Sequence, residues 1–159
     1  MGVVLRGRDG SELELRLVDY ELPSARVDPW DSNWLLVSVR VVSPHGAWEV
    51  VDPCLTTWEA ERLARWLTVA SVGAAGPRMA FTEPNLEMTV EAADPREPSQ
   101  VRVSARLDLE SRPPWQARAG AGGGLAVDLD LTRRDLADAA VTLRDELSRF
   151  PQRGPDPTL

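Results

Sequence analysis

Strict alternation of apolar residues with charged or small ones recurs in five stretches of this chain, and it restricts the fold more than any other feature. In the clearest stretch, Val101, Val103 and Ala105 alternate with Arg102 and Ser104. The same pattern occupies residues 12–17, 35–41, 86–90, 101–110 and 125–131. Successive side chains of a β-strand point to opposite faces, so each stretch predicts a strand with one apolar and one solvated face. Sheets with one solvated face are typically antiparallel, which argues against a doubly wound fold.

Two amphipathic helices complete the predicted architecture. Thr56 and Glu59 have the spacing of a capping box, and apolar residues then recur at helical spacing, which predicts a helix over 56–70. Glu59 lies on the apolar stripe, where a general acid or base with a raised pKa is the alternative to the capping role. Thr132 predicts the start of a second helix, over 132–150, which Pro151 ends. Both helices begin with the same pattern, Leu-Thr-x-x-Glu/Asp. Two related halves of the chain would produce this repetition, and so would the recurrence of the same cap chemistry.

The length of 159 residues suits one domain. We expect a single α+β domain over residues 1–151, in which a twisted antiparallel sheet of about six or seven strands carries both helices on one face. Residues 152–159 are predicted to be a flexible C-terminal tail. The glycine-rich segment 120–124 precedes a strand rather than a helix, so it predicts a hairpin connection and not a phosphate loop.

The residue types that most catalytic and metal chemistry requires are scarce. Cys54 is the only cysteine and His45 the only histidine, so disulfides, thiolate clusters and most nucleophilic pairs lack their parts. We expect Cys54 to be buried as a small hydrophobic residue and His45 to lie in an exposed turn. We therefore predict that the protein is not an enzyme and holds no metal and no cofactor. The remaining catalytic candidates are carboxylates near loops: Asp28, Asp31, Asp52 and Glu83.

Acidic residues outnumber basic ones by 25 to 18, for a formal net charge of −7. This balance argues against nucleic acid as a direct ligand and favours a basic partner. The predicted solvated strand faces carry Glu12, Glu14, Glu49, Glu87, Glu91, Asp108, Asp128 and Asp130 against Arg16, Arg40, Arg102 and Arg106. Cross-strand ion pairs on a merely solvated face would explain many of these charges. The acidic excess is also what a surface that binds a cationic protein would have.

Tryptophan is the dominant aromatic residue, with six copies. Trp48, Trp58 and Trp66 fall on predicted inward faces and belong to the core. Trp30 and Trp115 fall in predicted loops, where they either close the end of the core or anchor a partner. The predicted partner-binding residues are Trp30, Trp115, Glu87, Glu91, Asp108 and Asp128.

The chain shows no targeting or membrane segment. Residues 1–10 lack the apolar core of a signal peptide, and no apolar run reaches the ~20 residues of a membrane span. The sequence therefore predicts a cytoplasmic protein that does not bind a membrane.

Three motif stretches carry a family resemblance: Asp31-Ser32-Asn33-Trp34-Leu35, residues 52–59 (DPCLTTWE) and residues 81–86 (FTEPNL). In their order, and with Phe150-Pro151 after the last helix, they resemble the WapI-type immunity proteins of bacteria. The resemblance implies a small cytoplasmic antitoxin that protects its producer from a contact-delivered toxin, often a nuclease. If that role holds, the net charge of −7 and the acidic excess on the solvated faces favour binding of a basic toxin and inhibition by occlusion. The resemblance supplies no binding residues, because the motif residues themselves are typical of turns and helix caps. The alternative is a ligand-binding or housekeeping protein-interaction module, with a pocket between sheet and helices or near Trp30 and Trp115.

Overall fold

Eight strands form two four-stranded antiparallel sheets in the computed structural model of this protein, which describes residues 2–74, 76, 78–118 and 124–159. The first sheet contains β1 (Val3–Arg6), β2 (Glu12–Tyr20), β3 (Trp34–Ser43) and β4 (Gly46–Thr56). The second contains β5 (Arg78–Ala80), β6 (Leu86–Ala92), β7 (Gln100–Leu107) and β8 (Leu125–Thr132). Each sheet is ordered as in the sequence, so neighbouring strands are joined by short connections or by small helices.

The two long helices follow the two sheets directly. The helices are α1 (Pro29–Asn33), α2 (Thr57–Ser71), α3 (Pro114–Arg118) and α4 (Arg133–Leu147), with a short 3-10 helix at Leu109–Ser111. α2 begins where β4 ends and α4 where β8 ends, and each has a complete capping box. Each half of the chain is thus a four-stranded meander followed by a capped 15-residue helix. Both alternatives for the Leu-Thr-x-x-Glu/Asp pattern, related halves and recurring cap chemistry, are compatible with this arrangement.

The apolar strand faces meet the helices in one hydrophobic cluster. Val37, Val39, Val103 and Leu129 have no exposed surface, and the apolar stripes of α2 and α4 belong to the same cluster. The two helices also pack against each other. The predicted α+β class, the antiparallel pairing and the burial of both helices against the apolar faces are confirmed.

Sheet size and helix number differ from the prediction of one sheet and two helices. β1 and β8 lie side by side, but among the described residues only one backbone hydrogen bond joins the two edges, from Arg8 N–H to Asp130 O at 3.2 Å. The hydrogen-bonded ladder therefore stops there, and the strands divide into two sheets. β1 was missed because four residues give too little alternation to detect. The short helices α1 and α3 lie in predicted loops, and most of the predicted glycine-rich hairpin connection, 120–123, lies outside the described residues.

The C-terminal residues contact the body of the protein. The Arg153 guanidinium donates hydrogen bonds to the carbonyls of Leu22 and Pro23, both at 3.0 Å. The Arg62 guanidinium pairs with the Asp156 carboxylate at 3.1 Å and also donates to the Thr158 hydroxyl. The flexibility predicted for residues 152–159 concerns motion and stays a prediction.

Candidate partner-binding surface

All four acidic residues of the predicted interface belong to the second sheet or to the segment that follows β7. Glu87 and Glu91 lie on β6, Asp128 lies on β8, and Asp108 comes directly after β7. Cross-strand register places Glu91 opposite Arg102, and Asp128 opposite Ser104. The fold therefore brings these residues to one sheet.

These carboxylates differ in how far arginines neutralise them. Glu87 pairs with Arg78 at 2.7 Å. Asp108 pairs with Arg112 at 3.0 Å and caps the 3-10 helix by accepting a hydrogen bond from Leu109 N–H at 2.7 Å. These two residues therefore have structural partners, and their charges are partly compensated.

Glu91 and Asp128 are exposed and form no ion pair with any residue that the structure describes. Arg102 lies near both, but its guanidinium is held by the Asp130 carboxylate through hydrogen bonds of 2.7 and 3.0 Å. These bonds keep the pKa of Asp130 below its usual value. Arg102 thus lies among three carboxylates, and Arg8 also acts on Asp130, which still leaves a local excess of negative charge on the second sheet.

On the solvated face of the first sheet, the negative charges are better compensated by nearby arginines and hydrogen-bond donors. Glu12 accepts from Arg6 at 2.8 Å and from Arg40 at 3.2 Å, and Arg40 also lies 3.8 Å from Glu14. The Ser38 hydroxyl donates to Glu49 at 2.7 Å. On this sheet the expectation of cross-strand pairing holds, so the unbalanced acidic charge lies mainly on the second sheet.

The two candidate anchor tryptophans lie in different surroundings. Trp115, on α3, is 43% exposed, and it meets Trp48 edge to face with the ring centroids 5.4 Å apart. Trp115 also covers Gly46, where an added Cβ would lie 2.9 Å from its ring, so the β3–β4 turn and this indole fit closely. Trp30 is half-buried on α1 and contacts Trp58 and Trp34, at centroid distances of 5.1 and 6.3 Å. Trp115 is therefore the more available anchor.

The residues considered for catalysis do not assemble into a reactive group among the described residues. Cys54 is 1% exposed, and burial together with nearby carboxylates raises its pKa to about 12, so its thiol is not a nucleophile at neutral pH. His45 is exposed in the β3–β4 turn, as predicted. Asp28 caps α1 by accepting from Trp30 N–H at 2.8 Å. No group of three or more potential metal ligands occurs in the described part of the chain.

Of the carboxylates considered for catalysis, Asp52 lies on β4 rather than in a loop, and it has an acidic neighbour, Glu110. The Asn85 amide donates to Asp52 at 3.1 Å and to Glu110 at 3.3 Å. Burial and the charge of Glu110 raise the pKa of Asp52. The shared amide of Asn85 accounts for the proximity of the two carboxylates, so the pair reads as a structural connection.

The motif residues that carry the family resemblance join the two halves of the fold. Glu59 completes the α2 capping box with one oxygen, and with the other it accepts from Thr82 N–H at 2.6 Å. The Thr57 hydroxyl donates to Asn33 at 2.8 Å. Glu59 therefore acts as the predicted cap, and these buried contacts explain why the motifs are architectural.

The fold is that of a small α+β protein in which two antiparallel sheets and two long helices share one hydrophobic cluster, and the second sheet carries carboxylates that are unpaired among the described residues. The model of the WapI-like immunity protein family matches residues 4–151, and the chain belongs to this family. No curated protein and no solved structure matches the chain significantly. Within the described residues, no helix combines the length and the apolar character needed to cross a membrane.

Proposed function

We propose that the protein is an antitoxin that binds a cognate, contact-delivered toxin of basic character and blocks it by occlusion in the cytoplasm. Family membership supports the immunity role. The structural observation that carries the basic character of the partner is the pair of exposed, unpaired carboxylates Glu91 and Asp128 on the second sheet. A cationic protein surface would neutralise both.

Occlusion requires no catalytic group in the inhibitor. A toxin that cleaves nucleic acid needs a cationic surface to hold phosphates, and an acidic protein competes for that surface. Unpaired charges mainly speed the encounter, whereas buried aromatic anchors supply most of the affinity. In this mechanism Glu91 and Asp128 attract the approaching toxin and speed its association. Trp115 anchors the bound toxin, and the half-buried Trp30 is the weaker anchor candidate.

Charge reversal at the unpaired positions tests the proposal most sharply. Glu87 and Asp108 belong to the proposed surface, but reversing them would also break the contacts with Arg78, Arg112 and the 3-10 helix. Glu91→Arg with Asp128→Arg avoids this problem. The matched control is Glu61→Arg with Asp145→Arg, which changes the net charge equally at exposed positions on α2 and α4.

The measurement is association with the product of the neighbouring gene, once that product is shown to be a toxin, by stopped-flow over a range of salt concentrations. We expect the double reversal at Glu91 and Asp128 to slow association roughly tenfold at low salt and to flatten its salt dependence. The control pair should have a much smaller effect. Equal effects of the two pairs, or binding that does not respond to salt, would show that the acidic surface is only solvated.

A small-ligand module is the second candidate function, and one pocket favours it. The pocket has a volume of about 240 Å³ and lies between the end of α2, the start of α4 and strands β6 and β7. Arg133 and Glu91 both line it, so it could hold a small polar molecule. A thermal-shift screen of metabolites tests the ligand-binding module. A metabolite that binds saturably, and whose binding is lost in Arg133→Ala, would favour the module over immunity.

A further inference from the structure

A second pocket lies beside the β3–β4 turn, where the two sheets approach each other. Its volume is about 250 Å³, and its lining includes Asp9, Ser11, Ser43, His45 and Asp128. Asp9 and Ser11 belong to the β1–β2 turn of the first sheet, and Asp128 belongs to β8 of the second. The pocket therefore exists only because β1 and β8 are neighbours in the fold.

The charge of this pocket is negative. Asp9 and Asp128 line it, and the described lining residues include no arginine. Ser11 donates to both Asp9 oxygens, from its N–H at 2.9 Å and its hydroxyl at 3.0 Å, which fixes the carboxylate and lowers its pKa. Asp128 has no ion pair within the described chain, because Arg102 is held by Asp130. Two carboxylates thus face one cavity whose described lining contains no arginine.

An exposed aromatic ring borders the same turn. Trp115 packs on Gly46, next to the His45 of the pocket lining, and its edge-to-face contact with Trp48 fixes the ring. The Trp48 indole is in turn held by a hydrogen bond to Ser111 O at 3.0 Å. An indole beside a negative cavity suits a guanidinium or ammonium group, because the ring face attracts cations and the alkyl stem packs on the ring.

We propose that this pocket is the anchor site of the toxin interface and receives one arginine or lysine side chain of the partner. This assignment rests on the proposed immunity function and gives it a location. The side chain binds between Asp9 and Asp128, and Trp115 covers the neighbouring part of the partner surface. Charge complementarity selects a basic partner, and the carboxylates on one side of the β3–β4 turn and the indole on the other set its orientation.

The first test uses a probe that does not depend on the toxin. N-acetyl-arginine amide is titrated into the full-length protein and followed by NMR, with the uncharged N-acetyl-citrulline amide as control. We expect weak, saturable shifts at residues 9–11, 43–46 and 126–128 with the arginine probe only. They should vanish in Asp9→Asn with Asp128→Asn and persist in Glu61→Gln with Asp145→Asn. Equal shifts with both probes, or shifts unchanged in the pocket variant, would overturn the pocket as a cation site.

The second test uses the same neighbouring gene product, once it is shown to be a toxin, and separates the anchor site from the immunity function. We expect the Asp9→Asn, Asp128→Asn protein to bind at least tenfold more weakly than the Glu61→Gln, Asp145→Asn protein, which is about 1.4 kcal/mol. If the toxin is neutralised equally by both variants, the anchor site is refuted while the immunity function stands. If the arginine probe binds but no toxin is neutralised, the proposed function fails and the cation pocket stands.

Discussion

Asn33 and Arg153 are joined by two reciprocal hydrogen bonds across 120 residues of sequence. The Asn33 amide donates to Arg153 O at 2.6 Å, and the Arg153 N–H donates to the Asn33 side-chain oxygen at 2.8 Å. Asn33 also donates to Pro29 O at 2.7 Å and accepts from the Thr57 hydroxyl at 2.8 Å. Its side chain is fully buried, and all four of its hydrogen-bonding positions are used.

Replacing Asn33 should therefore be costly. Asn33→Ala removes four hydrogen bonds, one of them to the buried Thr57 hydroxyl and three to partly buried backbone groups, and we expect it to lower the free energy of unfolding by roughly 3 kcal/mol. The comparison is Arg153→Ala, which removes the guanidinium stacked 3.4 Å above the Tyr20 ring but keeps the backbone pair. That variant should lose only about 1 kcal/mol. Urea denaturation measures both, and a cost for Asn33→Ala no greater than that for Arg153→Ala would contradict the argument.

Removing residues 152–159 tests the predicted flexibility of the tail. The deletion takes away the partner of Asn33 and the ion pair of Arg62 with Asp156. We expect the shortened chain to unfold at a lower urea concentration, with a loss of at least about 1 kcal/mol. Amide exchange of the full chain gives an independent measurement, because the Arg153 N–H should be protected. An unchanged midpoint with rapid exchange would support a flexible tail instead.

The two capping boxes should differ in their importance for stability. Thr56 is fully buried, and its partner Glu59 also holds Thr82, whereas the box of Thr132 and Asp135 is exposed. Thr56→Ala should cost about 2 kcal/mol and Thr132→Ala about 0.5–1 kcal/mol. Serine at either position keeps the hydroxyl and should recover most of the loss. Equal costs in thermal unfolding would show that the burial of the Thr56 capping box adds little to its contribution.

Cys54 should be unreactive in the folded protein. Burial raises its pKa from the ordinary 9.0 to about 12, which lowers the thiolate fraction at pH 8 by a factor on the order of a thousand. Ellman's reagent should therefore react with no thiol in the native state and with one thiol per chain in concentrated urea. Rapid reaction of the native protein would show that β4 opens locally around Cys54.

Local sequence patterns predicted the elements of this fold well. Alternation over 86–90 and 101–110 located β6 and β7 to within three residues at each end, and the capping signals located the start of both long helices. The division into two sheets was not predictable, because it depends on how β1 and β8 meet across more than 100 residues of sequence. Alternation reports which face of a strand is buried, and it carries no information about which strands are neighbours.

The candidate surface was predictable in composition but not in geometry. The sequence identified Glu91, Asp128 and Trp115 by their positions on solvated strand faces and in a loop. It could not show that Arg102 pairs with Asp130 and leaves Glu91 and Asp128 unpaired, since that choice depends on side-chain positions. It gave no signal for Asp9, which reaches Asp128 only through the approach of the two sheets.

Glu146 should make stability depend on pH in an unusual direction for a carboxylate. It is 1% exposed on α4, one of its oxygens has no hydrogen-bond partner among the described residues, and its other oxygen lies 3.5 Å from the Arg149 guanidinium. Burial raises the pKa of Glu146, so the folded protein holds this proton more tightly than the unfolded chain does. Its contribution to stability is then complete below the ordinary glutamate pKa and is lost as pH rises through the raised value.

Glu146→Gln isolates the contribution of this carboxylate to stability, because glutamine has nearly the same side-chain shape and carries no charge. We expect the variant to melt at a higher temperature than the wild type at pH 7, and the difference should shrink or reverse as the pH falls below the ordinary glutamate pKa. The exposed Glu61→Gln serves as control for the loss of one charge. Asp52 also has a raised pKa, but it is present in the wild type and in both variants, so its contribution to the pH dependence cancels when they are compared. A lower melting temperature of Glu146→Gln at pH 7 would mean that the contact with Arg149 outweighs the cost of burying the charge.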